Sequence, residues 1–123
     1  MTALPISAEI DQSTPEYAEK IAQLNDLFRQ TGRGGKSVVT QGIQALGPIA
    51  VILLQRAVAT FTDFTPDNDP HGERSFGLIE RDGWPKVFWK IDYYDTDFHF
   101  GSEDPADPSK TGRILTILLA SEY

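Results

Sequence analysis

The sequence predicts an α+β fold in which two helices pack on a mostly antiparallel sheet of four to five strands. A stripe of apolar residues with helical spacing follows a proline-marked helix start near Thr14. Two apolar segments of alternating pattern flank Asp82-Gly83, a dipeptide typical of hairpin turns. The closing segment RILTILLA is apolar on both faces if extended, as a central strand is. A length of 123 residues fits a single globular domain, which we place at residues 13–123 after a flexible N-terminal arm at residues 1–12.

The first helix is predicted over STPEYAEKIAQLNDLFRQTG, residues 13–32. Thr14 can cap this helix, and Pro15 suits its first turn because the missing N–H would have no partner there. The core-facing stripe consists of Tyr17, Ile21, Leu24 and Phe28. Gly32 follows the last residue of this stripe, at the position where many helices end in a left-handed residue.

The segment TGRGGKS, Thr31 to Ser37, ends like a phosphate-binding P-loop but has Gln30 where that motif begins with glycine. It also leads from a helix into β-branched residues, whereas a P-loop leads from a strand into a helix whose N-terminus holds the phosphate. We therefore interpret it as a helix end and a turn before a short strand that ends near Gly42. Contact with an anion through Arg33 and Lys36 is the alternative.

The remaining elements follow from proline, glycine and alternating apolar residues. Gly47-Pro48 opens a second helix, to about Thr62, which is apolar on most sides and is therefore expected to be mostly buried. A hairpin follows, with strands at residues 75–81 and 86–94. Its second strand has a core face formed by Val87, Trp89, Ile91 and Tyr93. Alternation around Phe98 and Phe100 predicts a further short strand, and residues 113–120 form the last strand, with a helix as the alternative.

Negative charge is concentrated in one part of the chain. The net charge is -7, and residues 63–107 hold twelve acidic against four basic side chains. Direct nucleic-acid binding needs clustered Lys and Arg, so this charge favours a basic or nucleic-acid-binding protein surface as the partner. The predicted interaction surface consists of Asp63, Asp67, Asp69, Glu73, Asp92, Asp95, Asp97, Glu103, Asp104 and Asp107, with Trp84 as an aromatic anchor on a turn.

The loop DNDPHGE suggests a second function, because carboxylate oxygens are the ligands that calcium and magnesium prefer. The candidate metal ligands are Asp67, Asp69, His71 and Glu73. An EF-hand is excluded, because its twelfth position holds Leu78 in place of glutamate. The alternative is a structural turn, in which Asp67 and Asn68 bond to nearby backbone and Gly72 supplies a positive φ.

A second group of chemistry-bearing residues comprises Asp92, Asp95, Asp97 and His99. In an extended segment Asp95, Asp97 and His99 would share one side, where a cation would relieve their repulsion. A two-His-one-carboxylate centre with His71 and a solvated acidic rim are the alternatives. Nucleophilic catalysis has no support, since the chain has no cysteine and no Gly-x-Ser-x-Gly motif.

Four segments together resemble a known family: TPDNDPHGE at residues 65–73, WKIDYYD at 89–95, GSEDPADP at 101–108 and LTILLASEY at 115–123. They resemble the bacterial family catalogued as domain of unknown function 3768, and LNDLFRQTGRGG extends the resemblance into the first helix. The resemblance implies no catalytic residue. It implies a context, since such small proteobacterial proteins are often encoded on plasmids or prophages.

Charge and family context together predict a small acidic, non-enzymatic interaction protein of mobile-element type. Such a protein would inhibit a host nucleic-acid-handling or defence complex, as anti-CRISPR and anti-restriction proteins do. The alternative is a divalent-metal-binding protein or metal-dependent hydrolase that uses the DNDPHGE loop with calcium or magnesium. The absence of cysteine suits a reducing cytoplasm. The longest apolar run, Ile49 to Leu54, is far shorter than the ~20 residues of a membrane helix, so we expect a cytoplasmic protein. The sequence does not distinguish a monomer from a homodimer.

Overall fold

The computed structural model describes residues 11–123 and confirms the predicted α+β fold. In chain order the elements are α1 Pro15–Thr31, β1 Gly35–Val39, α2 Gln41–Gln44, α3 Pro48–Ala59, β2 Phe76–Ile79, β3 Val87–Tyr94, β4 Gly112–Leu119 and a 3-10 turn at Ala120–Glu122. Of the predicted N-terminal arm, all but Asp11 and Gln12 lies outside the described residues.

Residues 11–123 form a four-stranded sheet in the order β1-β4-β3-β2. The β2–β3 and β3–β4 pairs are antiparallel, and β1 pairs with β4 in parallel, so the sheet is mixed but mostly antiparallel. The last segment is a strand and lies inside the sheet, between β1 and β3. Leu115 and Ile117 on its core face are buried, and Ile114 on the opposite face is partly exposed. Gly35 is required next to it, since any side chain there would collide with the backbone carbonyl of Arg113.

The core lies between α1, α3 and one face of the sheet. It consists of Phe28, Ile43, Leu54, Val58, Ile79, Val87, Trp89, Ile91, Leu115 and Ile117. Trp89 is its centre, with Phe61 and Phe64 packed edge-on against the indole ring at centroid distances of 5.4 and 6.1 Å. The predicted core face of β3 is therefore confirmed, with Tyr93 only partly buried at its end.

Helix α1 begins and ends where its sequence indicates. The hydroxyl of Thr14 accepts a hydrogen bond from the Tyr17 N–H at 3.1 Å, and Gly32 ends the helix with φ 77°. The TGRGGKS segment is thus a helix end and a turn that leads into β1. The ammonium of Lys36 lies 4.3 Å from the centre of the Phe98 ring.

Helix α3 differs from the expectation in length and in burial. It ends at Ala59, not near Thr62, and it is not mostly buried, since Ile49 is 74% exposed and Ile52 59%. A helix at the surface of a two-layer fold covers the sheet with one face only, and Ala50, Leu54 and Val58 form that face. Within residues 11–123 no helix has the length and apolar character needed to cross a membrane.

The predicted strand around Phe98 and Phe100 is wrong. The Asp95 carboxylate accepts hydrogen bonds from the N–H groups of Asp97 and His99, at 3.1 and 3.0 Å, and so folds this segment into a turn. Phe98 has a positive φ of 60°, which is incompatible with an extended strand. Asp95, Asp97 and His99 therefore do not share one side of a strand.

Candidate functional site

Two loops carry the negative charge of the molecule. We call residues 63–74 and 95–110 the acidic loops; they hold nine acidic side chains against two basic ones, Arg74 and Lys110. Their net charge equals the -7 of the whole chain, so the remainder is neutral overall. The second loop joins β3 to β4, and the first is held beside β3, where the Ile91 N–H donates to the Ser75 carbonyl at 2.8 Å. Both loops therefore lie at the same end of the sheet.

Three buried or partly buried polar side chains, Asn25, Tyr93 and Arg113, form what we call the polar hub. The Asn25 amide donates to the Glu73 carbonyl and to the Tyr93 hydroxyl, both at 2.9 Å. Arg113 donates through Nε to Asn25 Oδ1 and through Nη2 to the Pro105 carbonyl, both at 2.7 Å. The hub thus ties α1 to both acidic loops through directed hydrogen bonds.

The tyrosine of the hub also holds a carboxylate. The Tyr93 hydroxyl donates to Glu73 Oε1 at 2.7 Å, and burial raises the pKa of Tyr93 well above its usual value. The phenol is therefore a neutral donor at physiological pH. The Arg113 guanidinium lies 5.2 Å from the centre of the Tyr93 ring, and burial lowers the pKa of Arg113.

A second buried contact attaches residues 95–110 to α1. The Tyr17 hydroxyl donates to the Asp104 carboxylate, and the Thr111 hydroxyl donates to the Asp104 carbonyl at 2.8 Å. Burial and, after it, the bond to Asp104 raise the pKa of Tyr17 to about 12. Asp104 is only 8% exposed, so its inclusion in the predicted interaction surface is corrected: this carboxylate supports the loop from inside.

Arg74, the one base of residues 63–74, is held by α1. Its guanidinium lies 2.8 Å from Asp26 and 3.3 Å from Glu19, and the bond to Asp26 raises the pKa of Arg74. Its N–H donates to the Asp69 carboxylate at 3.2 Å, which stabilises a left-handed backbone with φ 53°. Arg74 is therefore oriented toward helix carboxylates and leaves the outer acids of its loop uncompensated.

The remaining predicted surface residues fall into two groups. Four are exposed and, within residues 11–123, take part in no ion pair: Asp63, Asp67, Asp97 and Glu103. The others are partly buried and have partners: Asp69, Glu73, Asp92, Asp95 and Asp107. Hydrogen bonds from Ser109 lower the pKa of Asp107, so this side chain is ionised at neutral pH.

Trp84 is not the exposed anchor that its position on a turn suggested. It is partly buried against the core, and the Arg81 guanidinium lies 5.3 Å from the centre of its ring. This contact lies at the turn of the hairpin, between β2 and β3. In the acidic loops the large exposed apolar side chain is Phe100, which is 75% exposed.

The DNDPHGE loop is folded as a turn. Asn68 Oδ1 accepts from the Thr65 N–H at 2.8 Å, and Gly72 has φ 72°. Asp69 is bonded to backbone and Glu73 to a tyrosine, while Asp67 and His71 are exposed. In the described part of the chain, no three His, Asp or Glu side chains are arranged to hold a metal ion.

An open cleft of about 870 Å³ separates the first turns of α1 from residues 63–74. Asp69, His71 and Glu73 line one wall, and Thr14 and Glu19 line the other. The pKa of Glu19 lies below its usual value because Arg74 donates to its carboxylate. Arg74 lines the same cleft and pairs with Glu19, so the charge of its carboxylates is partly compensated.

Comparison with known proteins gives one match. The model of a family described as "Protein of unknown function (DUF3768)" matches residues 39–122, more than half of the chain. The chain belongs to this family. The matched region contains both acidic loops and two residues of the hub, Tyr93 and Arg113. No curated protein and no solved structure matches the chain.

The polar hub of this DUF3768 chain was not predicted from the sequence, although the positions of two of its residues indicate it. Asn25 lies four residues after Ile21 and three before Phe28, so it occupies a place in the apolar stripe of α1. Arg113 alternates with Leu115 and Ile117 on the core face of β4. A polar residue at a position of the apolar face is expected to be buried, and a buried polar side chain requires hydrogen-bond partners.

Proposed function

We propose that this DUF3768 protein is a non-enzymatic, cytoplasmic binding protein whose acidic loops dock on a basic protein surface. The target class is a nucleic-acid-handling or defence complex of the host, and occupation of its nucleic-acid groove would inhibit it. One observation carries the proposal: two loops that hold the whole net charge of the chain are attached to one buried hub.

The way in which the loops are attached supports this role. The hub bonds to the backbone carbonyls of Glu73 and Pro105, so it fixes the path of the loops without using their outer carboxylates. Asp63, Asp67, Asp97 and Glu103 stay exposed to solvent. Loops ordered before binding lose less entropy when a partner docks, and spaced carboxylates can imitate the phosphates that a basic groove binds.

Electrostatics sets a further requirement for this function. Attraction between exposed charges is screened within about 8 Å at physiological ionic strength, and it contributes mainly to the association rate. A partner recognised in this way should bind tightly at low salt and weakly at high salt.

A pull-down from host lysate at low and high salt, followed by mass spectrometry, tests the proposal. The variant Asp67→Asn/Asp97→Asn removes two exposed loop charges, and Glu80→Gln/Asp82→Asn removes two at the hairpin. We expect basic partners whose recovery falls about tenfold at high salt or in the loop variant, while the hairpin variant keeps them. Partners without a basic surface, or equal losses in both variants, would refute the acidic-loop docking.

A further inference from the structure

The strand β1 has an edge that another strand can pair with. It lies at the end of the sheet and bonds only to β4 within the described residues. The Gly34 carbonyl accepts from Arg113 and the Thr40 N–H donates to Ile117, so even-numbered residues turn their backbone groups toward β4. Gly35, Ser37 and Val39 therefore turn theirs outward. An exposed row of this kind is a template for a further strand.

Apolar side chains surround this edge. On one side lies Val38, 45% exposed, and on the other lie Ile49, Ile52 and Leu53 of α3, which are 74%, 59% and 36% exposed. An open groove of about 470 Å³ joins helix to strand; its lining includes Val39, Pro48 and Ile52. The strand edge and the apolar face of α3 are thus one continuous surface, which we call the β1–α3 face.

The size of this face suits a protein partner. Its four exposed apolar side chains present roughly 400 Å² of apolar surface, which lies in the range of patches that are often functional. A standard interface buries about 800 Å² on each partner, of which a little more than half is apolar. The β1–α3 face therefore supplies about the apolar share of one side of a stable dimer.

The charge pattern favours a second copy of the chain as this partner. Residues 35–59 contain no acidic side chain, and their two charged residues are Lys36 and Arg56. A chain with net charge -7 repels its copies over its acidic loops, but it can approach them over a face without acids. An antiparallel strand pair is also self-complementary, as a twofold axis requires.

We propose that two copies associate through the β1–α3 face about a twofold axis. The β1 strands pair antiparallel with Ser37 opposite Ser37 and Gly35 opposite Val39, because this register brings all outward backbone groups into bonds. The sheets of the two copies then become continuous, and α3 packs against α3 of the second copy. This inference is independent of the proposed function, since it uses no residue of the acidic loops.

The first test measures the mass of the protein in solution by sedimentation equilibrium. We expect twice the 13.7 kDa of one chain. Ile52→Lys places a charge in the interface, so the dimer dissociation constant should rise at least about tenfold. Leu78→Lys, at an exposed leucine of the opposite edge strand, is the matched control and should leave the mass unchanged. A monomeric wild type, or equal effects of both variants, overturns the proposal.

The second test checks the register and does not depend on a destabilising change. The chain has no cysteine, so Ser37→Cys introduces a single thiol at the twofold axis. Cα atoms in such a strand pair lie about 5.5 Å apart, within the range of a disulfide. We expect covalent dimers on mild oxidation, and none for Ser109→Cys in an acidic loop. A dimeric wild type whose Ser37→Cys variant does not cross-link would overturn the β1 pairing.

Discussion

The polar hub and the apolar core around Trp89 are both buried but act through different forces. Asn25 and Trp89 are each 0% exposed, yet Asn25 is fixed by three directed hydrogen bonds and Trp89 by edge-on aromatic packing. Apolar packing stabilises the region where the helices cover the sheet. Hydrogen bonds of the hub instead fix the conformation of the acidic loops, which have no regular secondary structure. The chain therefore uses apolar area for stability and hydrogen bonds for the position of its acidic loops.

The hub also buries a positive charge, the Arg113 guanidinium, without a salt bridge to a carboxylate of the described residues. Arg113 is buried, and its guanidinium donates to Asn25 and to the Pro105 carbonyl while it faces the Tyr93 ring. A buried cation is tolerated when its donors are satisfied, and it is costly when one of them loses its partner. Loss of one hub member should therefore affect the two loops together.

The largest effect is expected for Trp89→Ala. Removal of a fully buried indole leaves a cavity beside Phe61 and Phe64, and we expect the free energy of unfolding to fall by about 3–5 kcal/mol. Urea denaturation measures this change. Phe88→Ala, on the opposite and partly exposed face of β3, should cost less. An equal cost for both would mean that the core is not centred on Trp89.

A smaller loss of stability, with a specific effect on the loops, is expected for Asn25→Ala. The Glu73 carbonyl and Arg113 Nε lose their Asn25 partners, which costs about 1–3 kcal/mol. Limited proteolysis should then cut residues 63–74 and 95–110 faster than in the wild type. Gln23→Ala, exposed on the same helix, is the control and should change stability by no more than about 0.5 kcal/mol. Unchanged cleavage of the loops would show that the hub does not position them.

The helix, hairpin and central strand were predictable because their signals are local. Thr14, Pro15 and Gly32 mark both ends of α1, and Asp82-Gly83 marks the hairpin turn. The turn after β3 was not predictable from alternation, since the Asp95 carboxylate competes with strand pairing there. Local alternation cannot show which side chain binds the backbone.

Features that depend on contacts between residues far apart in the chain could not be predicted from the sequence. The apolar run of α3 predicts a buried helix, but burial of its outer face requires another element to pack against it. No such element does so within the described residues, and Ile49 is exposed. Acidic composition marks residues 63–107 as the acidic region, but it does not separate exposed Asp97 from Asp104, which is buried beside Tyr17. The burial of an acid depends on its partner 87 residues away in the chain.

The smallest effect concerns Glu122, which holds the chain at the end opposite the acidic loops. Its carboxylate accepts from the Thr40 hydroxyl at 2.6 Å, from the Leu119 N–H at 2.8 Å and from the Gly42 N–H at 3.2 Å. The bond from Thr40 first, and those from Leu119 and Gly42 after it, lower the pKa of Glu122 below its usual value. The folded state thus favours the ionised form. This stabilisation is present above the unfolded pKa and is lost as the pH falls through the lowered folded value.

Glu122→Gln keeps the size of this side chain and removes its charge. Its free energy of unfolding should lie below that of the wild type at pH 7, and the difference should shrink as acid protonates Glu122 in the wild type. Urea denaturation from pH 7 to pH 3 measures it. Thr40→Val removes the main donor, so the effect of Glu122→Gln at pH 7 should be smaller in that background. A difference that is the same at every pH would mean that this end of the sheet does not depend on a charged acceptor.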